Sequence, residues 1–547
     1  MSESQSANTD VPETLQSLLV AFTLALAFRG FVVEGFVIPT GSMAPTLMGQ
    51  HVRFKTPDTG YEYAFDSSPA RIPLGSSPKP LLVSDPMISQ NRAIAAVPDR
   101  SMVAQTRWGD RVLVLKYLYW FSNPSRWDVA VFKNPSDPIG PARNYIKRVV
   151  GLPGEQILIA DGDIFTAPLE GDLESFRVVR CPDHVQESIW QPIYDSDFIP
   201  ADPTVMEKRF LASFDGPPFK PNRPDDWTIE DTRTWRCDTA EPTQLDWDDE
   251  HLGIDDFNAY NIYQYPENLK WVGSRPTGGT FDLIDIDPVA DIRLSAAVTA
   301  DDPTALRTGV TLTARQHRFV FSIDGGRARI EIVGESGRTI EQAEAVFDVP
   351  GTGLFDLQFI HVDQSLAIRV DGDEVVRLEY DWNPLVRLER SLAGFDLSGY
   401  RSSPRRYRPR KPTLTWSFAG SPVELRRVRL DRDLHYKVGT LESSTQSPSN
   451  GERISGMQFA TDPGAPAQLG EDQYLMLGDN SAASLDSRFL ARPHPLAVSV
   501  TGDDSPFVIH RDLIVGKAWC VYFPAPNRLF GTGPAVVPDF GRLRFIR

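Results

Sequence analysis

The chain has 547 residues, with 56 Lys and Arg against 73 Asp and Glu, a formal net charge of −17 and a hydrophobic content of 41%. This length exceeds one ordinary core and predicts two or three domains. The acidity argues against nucleic acid as a partner, since a phosphate backbone is bound by excess cationic charge, and suits a soluble, self-repelling body. The three cysteines, Cys181, Cys237 and Cys520, cannot by themselves build a metal site, and neither a metal nor another cofactor is expected. Cys181 and Cys237 lie in one insertion and are a candidate pair, whereas Cys520 sits in an apolar strand and reads as a buried free thiol.

Residues 1–14 form a tail carrying Glu3, Asp10 and Glu13, without the basic start of a cleaved leader. Residues 15–35 hold an apolar run over 18–28 that Arg29 interrupts and that resumes through Val33. A bilayer needs about 20 apolar residues, so one transmembrane helix is predicted, with Arg29 snorkelling and the lipid bilayer as its partner. The acidic tail gives no charge signal for orientation.

The first catalytic part is placed at 36–159. Just past the anchor the chain reads Ile38-Pro39-Thr40-Gly41-Ser42-Met43-Ala44-Pro45-Thr46-Leu47. Ser42, held between glycine and methionine, is a candidate nucleophile. His51 follows closely, but no aspartate motif accompanies it. A loop insertion at 54–106 is rich in Pro, Ser and charge, and its segments 56–61 and 97–100 resemble the knuckles of a zinc ribbon with every cysteine replaced. Next come Arg126-Trp127-Asp128-Val129-Ala130-Val131-Phe132-Lys133 and, about a hundred residues after the serine, Asn144-Tyr145-Ile146-Lys147-Arg148-Val149-Val150-Gly151-Leu152-Pro153-Gly154-Glu155. Lys147 is a candidate base. An ammonium with an ordinary pKa near 10.4 accepts no proton at neutral pH, so such a base must be buried among apolar neighbours that disfavour its charge. Taken singly, Ser42 reads equally well as a turn residue and Lys147 as an exposed strand lysine.

Residues 160–268, rich in Trp, Pro and Asp, read as irregular. From 269 to 440 the pattern changes to alternating strands joined by Asp-Gly turns, as in Asp324-Gly325-Gly326 and Asp371-Gly372-Asp373, which predicts antiparallel hairpins and a β-sandwich. The stretch Phe355-Asp356-Leu357-Gln358-Phe359-Ile360-His361-Val362-Asp363, followed by Ile368-Arg369-Val370-Asp371-Gly372-Asp373, resembles the laminin-G or concanavalin-like jelly roll. That resemblance implies a glycan or protein ligand, although fold does not fix function. His361 is expected on the strand surface. The basic stretch 400–411 reads as a solvated loop, with anionic headgroups or the acidic remainder of the chain as its alternatives. The second catalytic part, 441–547, holds Leu477-Gly478-Asp479-Asn480-Ser481-Ala482-Ala483-Ser484-Leu485-Asp486-Ser487-Arg488, and the strand 512–519 closes its sheet. The predicted fold class is therefore mainly β: a split all-β catalytic domain, an inserted β-sandwich and one N-terminal transmembrane helix.

The serine, strand, lysine and Gly-Asp-Asn blocks, in this order, resemble bacterial type I signal peptidase, over about half of the chain. The resemblance implies a Ser/Lys dyad with Ser42 as nucleophile and Lys147 as general base. It places the oxyanion between the Ser42 N–H and the Thr40 hydroxyl, gives Ser484 the task of orienting the lysine, and makes Arg148, Asp479, Asp486 and Arg488 a supporting charge network. Ile38, Pro39, Met43, Leu47, Tyr145 and Ile146 would line the first subsite, and Phe36 and Val131 the third. The implied substrates are the signal peptides of exported preproteins, cut after small residues in Ala-x-Ala. The implied location is the cytoplasmic membrane of a bacterium, crossed once, with the catalytic domain on the extracytoplasmic side. Two departures stand out: Trp127 where the family commonly has glycine, and Ser481-Ala482-Ala483 where polar or charged residues are usual. The alternative is an inactive relative that serves as a membrane-tethered binding module through the sandwich.

Overall fold

The computed structural model describes residues 10–55, 59–66, 81–83, 86–87, 94–96, 106–137, 143–199, 216–230, 233–250, 252–264, 270–271, 286–351, 353–441, 456–528 and 535–547. The expected anchor forms helix α1 (Asp10–Phe31), which gives way at the β-branched pair Val32-Val33 to strand β1 (Val33–Val37). Helix α1 leaves Leu15, Leu18, Leu19, Val20, Phe22 and Leu24 exposed. Among the described residues no helix is long and apolar enough to cross a membrane. Of the two zinc-ribbon echoes, residues 56–58 and 97–100 lie outside the described residues.

Eight strands make the sheet that carries the serine and lysine blocks. After β1 come β2 (Arg111–Leu115), β3 (Val129–Lys133), β4 (Asn144–Gly151), β5 (Glu155–Ala160) and β6 (Asp163–Pro168), and after the insertion β7 (Gln473–Leu477), β8 (Ile509–His510), β9 (Ile514–Phe523) and β10 (Arg544–Phe545). The sheet order is β1-β2-β9-β3-β4-β7-β8, with β10 added beside β9. Adjacent strands run antiparallel. Strand β4 is buried from Ile146 to Gly151, and clusters on either side of the sheet explain why: Ile146 joins Ile38, Met43, Val129 and Val131, whereas Val149 joins Ala130, Phe132 and Met476. With both faces covered, the strand is buried continuously rather than alternately, and Lys147 and Arg148 are buried with it. Strands β5 and β6 form a hairpin whose two-residue turn, Asp161-Gly162, has φ of 49° and 89°. Two positive φ values are what a type I′ hairpin turn requires.

The insertion is a sandwich of two antiparallel sheets around one shared core that includes Trp235, Phe321, Phe359 and Trp416. Its hairpins fall where the Asp-Gly turns predict: Asp324 pairs with Arg327, and Val370 with Asp373 across Asp371-Gly372. The structure differs in the preceding stretch. Residues 191–195, 227–230 and 234–237 join one sandwich sheet, and 219–221 and 243–247 join the other. These strands are short, and Pro192 and Pro221 fall in two of them, so no sustained period-two pattern marks them; partners distant in sequence, such as 413–419 and 423–432, complete the sheets.

Two further expectations are corrected. All three cysteines are free: Cys237 lies in the sandwich core, whereas Cys181 packs around the β5–β6 hairpin, and Cys520 is half-buried. His361 is fully buried, its Nδ1 bonded to the Ala290 carbonyl at 2.7 Å and its Nε2 to the Tyr380 hydroxyl at 2.9 Å. The basic stretch is largely exposed, as a solvated loop would be, and it also meets the acidic remainder of the chain: Arg401 donates twice to Asp462 at 2.7 and 3.1 Å, and Lys411 to Asp249 at 2.5 Å.

Candidate active site

Ser42 sits in the turn after β1, and Lys147 lies in the middle of β4 opposite the small side chain of Ala130. Both are buried, at 8% and 2% exposure. Lys147 Nζ donates to Ser42 Oγ at 2.6 Å and to the Ile146 carbonyl at 2.9 Å. Burial opposes the lysine's charge; Asp486 and Asp479 favour it, and Arg488 opposes it again. Desolvation wins, and the pKa falls from 10.5 to about 8. At pH 7 about a tenth of the amine is then neutral, against roughly 0.03% at the unshifted value. Once the amine has lost its proton, the hydrogen bond can reverse and the serine hydroxyl can donate to nitrogen.

His51 is fully buried, its Nδ1 bonded to the Gly49 carbonyl at 2.8 Å, and burial pushes its pKa down to about 4. It is therefore neutral at physiological pH. Among the described residues the Ser42 hydroxyl is hydrogen-bonded to Lys147 and to no histidine.

The charge network is assembled as two bidentate pairs. Arg148 Nε and Nη2 donate to the two oxygens of Asp479 at 2.8 and 2.7 Å, and both side chains are fully buried. Asp479 also accepts from the Thr46 hydroxyl at 2.5 Å, which ties the lysine strand to the serine turn. Arg488 Nε and Nη2 donate to Asp486 at 2.9 and 2.8 Å, and Asp486 accepts from the Gly478 N–H at 3.1 Å. Fork-to-fork geometry suits Arg for this task where Lys would not.

Ser484 Oγ is buried close to Asp486, whose carboxyl it helps to hold below the usual range, and makes no hydrogen bond to Lys147. It lies beside the nucleophile turn all the same: a Cβ on Gly478 would meet Ser484 Oγ at 2.2 Å and the Ser42 carbonyl at 2.4 Å. Only glycine lets these two segments close on each other. The second contact of the lysine amine, assigned on sequence to Ser484, is made instead by the Ile146 carbonyl. Thr40 is exposed, and neither its hydroxyl nor the Ser42 N–H has a partner among the described residues.

The sequence-predicted subsite residues divide. Ile38, Met43, Leu47, Val131 and Ile146 pack as one buried cluster with Phe36 against its edge. Pro39 is exposed beside them. Tyr145 packs on the other cluster, with Phe132 and Val149, and its ring centroid is 5.6 Å from Lys147 Nζ.

Both departures from the family pattern are accommodated. Trp127 has φ of 75°, the left-handed region that glycine adopts without cost, and its N–H donates to the Val149 carbonyl at 2.7 Å. A strain of about 1–2 kcal/mol is offset by burial of the indole in the cluster with Val150 and Ile157. Ser481 Oγ accepts from Arg488 Nη1 at 2.8 Å, so the Ser-Ala-Ala segment still holds the arginine.

Sequence reasoning missed three participants. Thr46 and Asn480 lie in the quoted blocks but had no role, and Asn261 lies in the stretch read as irregular. Asn480 donates from its backbone to the Ser42 carbonyl at 3.1 Å and from Nδ2 to the Gly41 carbonyl at 2.9 Å. Asn261 pairs with Asn480 across 219 residues of sequence, and no local signal could have connected them.

Comparison with known proteins agrees with this geometry over part of the chain. The family described as signal peptidase, peptidase S26, matches residues 88–169, a span that holds β3, β4 and Lys147 but not Ser42. Signal peptidase I of Pseudomonas aeruginosa is 35% identical over 165 residues, covering 29% of this chain and 40% of that protein. Its counterpart in Pseudomonas fluorescens is 31% identical over 143 residues, covering 26% and 32%. Over these segments the chain resembles type I signal peptidases. The chain spans about a third of the length of the Pseudomonas fluorescens relative and of the probable signal peptidase I-2 of Synechocystis. Among solved structures, the galectin LEC-6 of Caenorhabditis elegans is 11% identical, covers 26% of this chain and 83% of its own, and gives a TM-score of 0.18. The carbohydrate-binding module CBM66 of Bacillus subtilis is 6% identical, covers 36% and 86%, and gives 0.20. Scores this low carry nothing about what the sandwich binds.

Proposed function

We propose that the chain is a membrane-anchored serine endopeptidase that releases exported proteins from their signal peptides, with Ser42 as nucleophile and Lys147 as general base. The observation that carries the reading is the 2.6 Å contact between Lys147 Nζ and Ser42 Oγ, made by an amine whose pKa burial lowers to about 8. Lys147 takes the hydroxyl proton as Oγ attacks the scissile carbonyl and returns it to the departing amine; an acyl-enzyme remains, which water then hydrolyses. The Ser42 N–H and the Thr40 hydroxyl supply donors for the oxyanion, and Ser484 stands beside the dyad to orient the amine as the substrate enters. The cluster of Ile38, Met43, Leu47, Val131 and Ile146 is apolar and closely packed, and subsites built on it would suit small side chains at the first and third positions before the cut.

Membrane attachment through α1 is supported by its exposed leucines and by a second apolar surface on the catalytic body. Trp519 and Tyr522 of β9 and Phe540, Leu543 and Phe545 near the C-terminus are all exposed, and Tyr522 lies against Gly35 of β1, the strand that follows the helix. Trp519 and Phe545 lie with ring centroids 5.5 Å apart, and exposed aromatic surface beside an anchor fits apposition to a bilayer. The catalytic domain on the extracytoplasmic face of a bacterial cytoplasmic membrane completes the reading.

Incubation of the purified chain in detergent with a preprotein bearing an Ala-x-Ala site tests it. The expected product begins at the residue after the second alanine, as read by N-terminal mapping. No cleavage, or cleavage that persists in Ser42→Ala, would overturn the proposal.

A further inference from the structure

The inserted domain reaches the nucleophile turn directly. Residues 252–261 leave the sandwich with Leu252 and Ile254 in its core. Arg432 of the sandwich fastens the next stretch by donating to the Asp256 and Phe257 carbonyls, each at 3.1 Å. Beyond it, Asn258 Nδ2 donates to the Ala44 carbonyl at 3.4 Å, and the Tyr260 hydroxyl to the Gln50 carbonyl at 3.3 Å. Tyr260 is 2% exposed and lies so close to the serine turn that a Cβ on Gly41 would meet its ring at 1.9 Å.

Asn261, 1% exposed, exchanges two hydrogen bonds with Asn480. Its Nδ2 donates to Asn480 Oδ1 at 2.6 Å, and Asn480 Nδ2 donates back to Asn261 Oδ1 at 2.8 Å. The second proton of Asn480 Nδ2 goes to the Gly41 carbonyl at 2.9 Å. The Gly41–Ser42 peptide is planar, and in a trans peptide the carbonyl of one residue and the N–H of the next point in opposite directions. Fixing the Gly41 carbonyl on Asn480 therefore fixes the direction of the Ser42 N–H. Without Asn261, the Asn480 amide loses the partner that holds its plane.

We propose that Asn261, supplied by the inserted domain, is a positioning residue for the Ser42 turn, acting through Asn480 to aim the Ser42 N–H at the developing oxyanion. This rests on Ser42 being the nucleophile. It makes the insertion a structural component of the active site and not an appendage to it, because the segment bearing Asn261 is held by Arg432 and the sandwich core.

The test uses the full chain and a preprotein substrate. Asn261→Ala is expected to lower kcat roughly 10- to 100-fold, with KM changed by no more than about twofold, because the loss falls on the transition state. The acid limb of the pH–rate profile should stay in place, since the surroundings of Lys147 are untouched; a general loosening of the site would move it. Combining Asn261→Ala with Asn480→Ala should cost no more than Asn480→Ala alone, to within about twofold. Asn261→Asp keeps the size but lacks the donor to Asn480 Oδ1, and carries the test should the alanine variant not fold. Wild-type kcat in either folded variant, or losses that multiply in the double variant, would overturn the proposal. Ser42→Ala separates the two readings: turnover that survives in it overturns the nucleophile itself, whereas a dead Ser42→Ala beside a fully active Asn261 variant overturns only the positioning role.

Discussion

Ser42→Ala and Lys147→Met each reduce preprotein cleavage by at least about 10⁴-fold while the chain stays folded, because nucleophile and base act as one unit and either loss removes the activated hydroxyl. Methionine is the informative replacement for Lys147. It fills the same buried slot opposite Ala130, adds no charge to desolvate, and lacks only the atom that accepts the proton. The double variant should be no slower than either single one, since the second substitution finds nothing left to remove. Turnover of the preprotein with the mapped cut site checks all three. A Lys147→Met chain that retained a tenth of the wild-type rate would place the base elsewhere.

Arg148→Met is expected to be the most destabilising single change near the site. Among the described residues it leaves the fully buried Asp479 carboxylate hydrogen-bonded to the Thr46 hydroxyl alone, and breaking one side of a buried pair costs about 3–5 kcal/mol. Arg148 also donates to the carbonyls of Trp127 and Arg547 at 3.0 and 3.1 Å, so the loss extends to the strand block and to the end of the chain. Chemical denaturation followed by tryptophan fluorescence reads the cost. Arg148→Met with Asp479→Leu should recover most of it, because a pair of apolar side chains has no charge to desolvate. The double variant should nevertheless cleave poorly, since Asp479 also holds Thr46 in the serine turn. Full stability in Arg148→Met would show that the pair is ornamental.

What the sequence made legible follows from how local each signal is. The lysine strand, the Gly-Asp-Asn block and the two Asp-Gly hairpins carry their pattern within about ten residues, and each lies where its pattern places it. Lys147 beside Ser42 rests on resemblance and not on spacing, because 105 residues separate them. Three things were not legible. The strands between 191 and 247 are short and completed by partners more than a hundred residues away, so nothing local distinguishes them from loop. His361 shares by alternation the buried face of Phe355, Leu357 and Phe359; only its polar ring suggested the surface, and both ring nitrogens are satisfied inside. Asn261 has no motif at all; its meaning lies wholly in the amide it faces.

The pH dependence of kcat/KM tests the central claim, that a buried neutral lysine activates Ser42, more directly than any substitution. The folded pKa of Lys147 is lowered, so the base-competent neutral form is scarce below that pKa and dominant above it. The rate should climb about tenfold per pH unit up to about pH 8 and level off above it, with one proton lost in the transition. His51, already neutral above about pH 4, contributes no limb in this range. A profile that is flat from pH 6 to 9, or one whose acid limb ends near 6.5, would contradict lysine as the base.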